Sequence, residues 1–131
     1  MGEAKKGYNV SVDTTNKILK LHLWGLWDTT LAQRFTGEAK ETILELSQQA
    51  PQGWYTLVDL SHFPPQFEEI QKIAAEIMTF EVDHGMKKAA TLFNKMLIKL
   101  QMQRLAKQQH LPPGSFFQSE GEAIQWLLHE Q

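Results

Sequence analysis

Residues 54–67 read WYTLVDLSHFPPQF, and the fold follows from how this stretch is read. Trp54-Tyr55-Thr56-Leu57-Val58 is a continuous run without charge, the pattern of a strand covered on both faces. Asp59, Ser61 and His62 then turn the chain polar. Pro64 and Pro65 follow, placed at a helix start where their missing N–H is not needed. In open α/β sheets, ligands gather where the carboxyl ends of such strands meet the following loops. Asp59, Ser61, His62, Phe63, Pro65 and Phe67 are therefore the candidate ligand or partner junction.

Toward the N-terminus, Tyr8, Val10 and Val12 alternate with polar residues, and Asp13-Thr14-Thr15-Asn16 is turn chemistry. The returning strand, 18–24, sets Leu19, Leu21 and Leu23 against Lys20, His22 and Trp24, which predicts a β-hairpin with one apolar side. Residues 1–7 are expected to be loose, ahead of one domain over 8–131. Thr30 and Gln33 match a capping box at the head of a first helix. Leu31, Phe35, Ala39, Ile43, Leu46 and Ala50 form its core stripe, and Pro51-Gln52-Gly53 ends it.

Beyond the central strand, Phe67, Ile70, Ala74 and Ile77 predict the inward face of a second helix closed by Gly85. Residues 89–93 read as another short buried strand, and Asn94 as the N-cap of a third helix running to about Gln109. Leu111-Pro112-Pro113-Gly114 breaks the chain, Phe116-Phe117 is a short edge strand, and Ser119 with Glu122 caps a final helix with Ala123, Trp126 and Leu127 inward. The order ββαβαβαβα predicts a single-domain α/β fold with a mixed sheet of about five strands and four helices.

The third helix carries more apolar residues than one buried face needs. Ile98, Met102 and Leu105 share one side, while Met96, Leu97 and Leu100 lie on another. No Asp or Glu occurs in 84–119, which holds Lys87, Lys88, Lys95, Lys99, Arg104 and Lys107. That asymmetry, within a net charge of only −2, hints at an anionic partner or a dimer contact. Lys95, Met96, Leu97, Lys99, Leu100, Arg104 and Lys107 thus make a second candidate surface, apolar and basic.

The element order, with Val58-Asp59-Leu60-Ser61 closing the central strand, resembles the STAS fold of anti-sigma-factor antagonists. The tail Phe116-Phe117-Gln118-Ser119-Glu120-Gly121-Glu122-Ala123-Ile124-Gln125-Trp126-Leu127 resembles the ending of its SpoIIAA-like branch. The resemblance spans about residues 8–129. It implies a bacterial regulatory protein or, through a fold relation to CRAL-TRIO lipid-binding domains, a binder of membranes or apolar ligands. Antagonists of this fold are switched by phosphorylation of a serine in an Asp-Ser-Ser-Gly setting. Those positions fall here on Pro64 and Pro65, which cannot accept phosphate, and the switch is not transferred to Ser61.

Other chemistry is disfavoured. Asp59, Ser61 and His62 include the residue types of a hydrolase triad, but neighbours on a strand point to opposite faces and there is no Gly-x-Ser-x-Gly elbow. The chain is read as non-enzymatic, with Asp59 and Ser61 satisfying the strand-to-helix turn. Five scattered histidines and no cysteine offer no metal-ligand spacing, and no phosphate-binding glycine pattern occurs, so no metal and no cofactor is expected. A sequence pI near 6.2 disfavours nucleic acid. Without a long apolar run or a signal-peptide core, a cytoplasmic location is expected, peripheral to the inner face of the membrane if the third helix meets lipid. The expected partners are an apolar or amphiphilic small molecule or an anionic lipid surface. A protein partner at the 59–67 junction, or a homodimer, is the other reading.

Overall fold

The computed structural model describes residues 5–111 and 114–129. Residues 1–4, 112–113 and 130–131 lie outside that set, and with them the Pro112-Pro113 part of the break expected before β5. Strands β1 (Gly7–Asp13) and β2 (Ile18–Trp24) form the hairpin, antiparallel with Val10 opposite Leu21. Asp13 Oδ1 accepts the N–H groups of Thr15 and Asn16, each at 3.1 Å, which closes the turn. Then come α1 (Thr29–Gln49), β3 (Trp54–His62), α2 (Glu68–Asp83), β4 (Met86–Leu92), α3 (Met96–Gln108), β5 (Ser115–Phe117) and α4 (Glu120–Leu128). The sheet order is β1-β2-β3-β4-β5, with every pair after the hairpin parallel. The fold class read from the sequence is the one observed.

Strand side chains alternate between two faces, and the two faces hold two cores. On one, Leu19, Leu21, Leu23, Trp54 and Leu60 pack with Phe35, Ala39, Ile43 and Leu46 of α1, Ile70 and Ile77 of α2, and Ile98 of α3. On the other, Ile18, Leu57, Ala90 and Leu92 pack with Ala123 and Leu127 of α4. Because α4 rests on β3, β4 and β5, the β2 positions Lys20, His22 and Trp24 stay half-buried at the margin of that layer.

Trp54 is fully buried, and its indole Nε1 donates to the His84 carbonyl at 2.8 Å, tying the start of β3 to the end of α2. Gly85 makes this corner at φ +102°, with Trp54 Nε1 only 3.3 Å from where a Cβ would stand.

Several local expectations are corrected. The N-cap of α1 is Asp28, whose Oδ1 accepts from Leu31 N at 2.9 Å; Thr30 lies inside the first turn, so the Thr30–Gln33 match is coincidental. Ala32, not Leu31, is the buried residue at the head of that stripe. Pro64 and Pro65 precede α2 by a short extended segment, because Phe67 is the N-cap, and Phe67 is 60% exposed instead of inward. At α3 the N-cap is Lys95 and not Asn94, with no side-chain hydrogen bond to the first turn. At α4 the Ser119 hydroxyl accepts from Glu122 N at 3.3 Å, as the capping pattern requires.

Candidate functional site

The polar end of the central stretch is not a turn but the last part of β3. Its register against β2 shifts there: Asp59 faces His22 and His62 faces Trp24, so β3 carries one extra residue. The bulge re-aims side chains. Ser61 Oγ donates to Asp59 Oδ1 at 2.6 Å and lies 3.3 Å from His62 Nδ1, so the expectation that Ser61 and His62 stand apart is wrong. The trio still does not form a nucleophilic relay. In a triad the carboxylate orients the imidazole, which takes the serine proton; here the carboxylate holds the serine directly and also accepts Ser61 N at 2.9 Å. This is strand-end capping. His22 Nε2 is buried without a hydrogen-bond partner among the described residues, 3.9 Å from Asp59 Oδ2, and its ring centroid is 5.9 Å from that of His62. Among the described residues, no group of three acidic or imidazole side chains converges as a metal site.

The other junction residues separate. Phe63 is buried, edge-on to Trp27 at 5.4 Å between ring centroids, while Pro65 and Phe67 face solvent. Gln66, which the sequence reading passed over, holds the region together. Its Oε1 accepts from Trp27 N at 2.9 Å, and its Nε2 donates to the carbonyls of Pro64 and Gly25 at 2.7 and 3.0 Å. Gln101 of α3 reaches the Gln66 backbone N–H at 3.3 Å.

On α3, Ile98 and Leu105 are buried and Met96, Leu97 and Leu100 are exposed, Leu97 by 66%. Lys95 and Lys107 stand in solvent without an ion pair among the described residues. Lys99 instead folds back over the rings of Phe93 and Phe116, at 5.4 and 5.7 Å, and Arg104 donates to Gln71 Oε1 at 2.8 Å. The basic residues therefore do not act as one free row. Lys95 at the helix N-terminus opposes the helix dipole and adds nothing to the stability of α3.

Between the sheet and its three-helix layer lies a partly enclosed cavity of about 380 Å³. Leu23, Val58, Leu60, Ile73, Ile77 and Met102 are among the apolar side chains that line it, and its walls are mostly apolar. Gln66 and Gln101 line its junction end. Inside are Thr56, Thr91 and Glu81, all buried. Thr56 Oγ1 donates to Glu81 Oε2 at 2.7 Å, and burial pushes the Glu81 carboxyl up to about 7, the Thr56 bond pulling weakly the other way. The sequence carries a signal for this residue: Ile70, Ala74, Ile77 and Glu81 fall on one helical stripe, so an acid occupies a core position. A wider open groove of about 840 Å³ runs between α2 and α3, but Glu68, Lys72, Glu76, Asp83 and Arg104 line it and solvate it.

No family model matches the chain, and no curated protein matches it. Among solved structures it is similar to an uncharacterized protein of the DUF3478 family with a SpoIIAA-like fold from Shewanella loihica PV-4. The identity is 16%, the match covers 97% of this chain and 98% of that one, and the TM-score is 0.63. At that identity the likeness speaks for architecture alone, and it agrees with the element order described above: the chain has a STAS-type, SpoIIAA-like fold.

Proposed function

We propose that this chain is a non-enzymatic binding domain that holds one small apolar or amphiphilic ligand in the cavity between the sheet and α2 and α3. The cavity itself carries the reading: about 380 Å³ of mostly apolar, partly enclosed space with a few polar groups inside is within the range of small-ligand sites. Well-packed interiors leave voids little larger than a water molecule, so a space of this size is more than packing slack. The exposed Met96, Leu97 and Leu100 beside Lys95 and Lys107 support delivery or uptake of that ligand at an anionic membrane surface. No helix among the described residues is long and apolar enough to cross a membrane.

Native mass spectrometry of the gently purified protein tests the ligand reading. A retained small molecule, released on denaturation, is the expected result; a bare protein mass together with no uptake of an apolar dye refutes it. The second reading, a protein-interaction module working through the 59–67 junction, draws on the 60% exposure of Phe67. Flotation separates the two: binding to anionic but not neutral vesicles favours the first, and a stoichiometric co-purifying protein without flotation favours the second.

A further inference from the structure

Glu81 is a poor choice for a residue whose task is packing. It is 5% exposed, on the core stripe of α2, and among the described residues its carboxyl has one hydrogen-bond partner, the Thr56 hydroxyl. A buried carboxyl is costly unless its charge is paired or its oxygens are well satisfied. No cation among the described residues does this. Lys87 and Lys88 are the cationic residues that line the same cavity, and neither pairs with Glu81. The Lys88 ammonium is committed elsewhere, donating to the Trp126 and His129 carbonyls at 3.0 and 3.1 Å over the Trp126 ring. The hydroxyl of Thr91, on the neighbouring strand and lining the same space, makes no side-chain hydrogen bond among the described residues. The cavity thus offers apolar walls, one carboxyl without a countercharge and one spare hydroxyl.

We propose that Glu81 is the headgroup-recognising residue of the cavity and that the ligand is a cationic amphiphile, an amine carried on an apolar chain. The inference rests on the cavity reading above and names its ligand class. An ammonium supplies the missing countercharge and donors to the free carboxylate oxygen, with the Thr91 hydroxyl within the same cavity as a second acceptor. A carboxylate ligand would add like charge in a region of low dielectric, and an alcohol would supply a hydrogen bond without charge. The raised Glu81 titration fits a group awaiting such a partner, since pairing restores the ionised form.

The test is displacement of Nile red from the protein by octylamine, octanol and octanoate at about pH 8.5, above the titration of Glu81 and below that of an alkylamine. Octylamine should bind at least about tenfold more tightly than octanol, the scale of a charge-assisted contact. In Glu81→Gln, which keeps an acceptor for Thr56, the two should differ by less than about twofold. Glu81→Leu gives the same comparison should the Gln variant fail to fold. Equal binding of amine and alcohol by the wild type, tightest binding of octanoate, or an amine preference that survives in both variants overturns the role of Glu81 while the cavity reading stands. If none of the three displaces the dye, both fall.

Discussion

Replacing Glu81 with Gln should change how stability depends on pH, in a direction that the burial of this carboxyl sets. The carboxyl titrates near 4.5 in the unfolded chain and at about 7 in the folded one, raised by burial. The native state therefore binds this proton more tightly, so the contribution of the protonated group is fully present below about pH 4.5 and is lost as pH rises through 7. A shift of that size corresponds to about 3 kcal/mol, and with Glu81 only 5% exposed little of it is screened by solvent. Urea unfolding followed by tryptophan fluorescence at intervals between about pH 4.5 and 8 measures it. Relative to wild type, Glu81→Gln should gain about 3 kcal/mol across that window and level off above it. Asp13 and Asp28, held below the usual carboxylate range mainly by hydrogen bonds from Asn16 and Lys6, give stability the opposite slope at lower pH, but they are common to both proteins and cancel in the difference. Parallel curves for the two proteins would show that the Glu81 carboxyl is not desolvated by its burial, and its raised titration would then be refuted.

Three further outcomes follow from other parts of the molecule. Gln66→Ala should cost about 2–3 kcal/mol in chemical denaturation, because it strands the buried Trp27 N–H and leaves the Gly25 and Pro64 carbonyls short of a donor; a loss below about 1 kcal/mol would mean that water replaces the amide. Asp28→Ala should cost about 1 kcal/mol through loss of the α1 cap, and Thr30→Ala much less, whereas the reverse order would restore the capping box to Thr30. Replacing Lys95 and Lys107 together with Gln should weaken binding to anionic vesicles by roughly thirtyfold, about 1 kcal/mol for each charge, with thermal unfolding nearly unchanged. Lys99 is left in place in that variant because its ammonium lies over Phe93 and Phe116, so its loss would perturb folding as well. Wild-type protein that ignores such vesicles even at low salt refutes the membrane half of the proposed function.

What was legible in the sequence was whatever depends on pattern over many residues. The run 54–58 named the central strand, and the stripe through Phe35, Ala39, Ile43 and Leu46 named the face of α1, because burial of several side chains outweighs any local preference. Of the helix caps, each decided by about 1 kcal/mol, that of α4 was placed correctly and those of α1 and α3 were misplaced by two residues and one. Asp28 and Thr30 both offer capping oxygens, and the difference lies in where the loop after Gly25 must enter the core, at φ +82° with the Lys5 carbonyl only 2.1 Å from where a Cβ would stand. The bulge that joins Ser61 to His62 was hidden for a related reason: alternation assigns faces only while the register holds.

The cavity lies beyond any such reading. Periodicity says that Ile98 and Leu105 point at the sheet, not how far from it α3 stands once Gln66 and Gln101 have set the spacing at one end. Its trace in the sequence is a set of exceptions on otherwise apolar positions: Thr56 on the central strand, Thr91 on β4, and Glu81 where the α2 stripe calls for a Leu. Each breaks local patterning at some cost to folding, and such breaks are expected to mark functional or strained sites. A single polar exception inside a core is ordinary. Three on neighbouring elements, lining one space and leaving a carboxyl without a countercharge among the described residues, fit the ligand proposed for this cavity, so a search for it should begin at Glu81 instead of at the more conspicuous Asp59, Ser61 and His62.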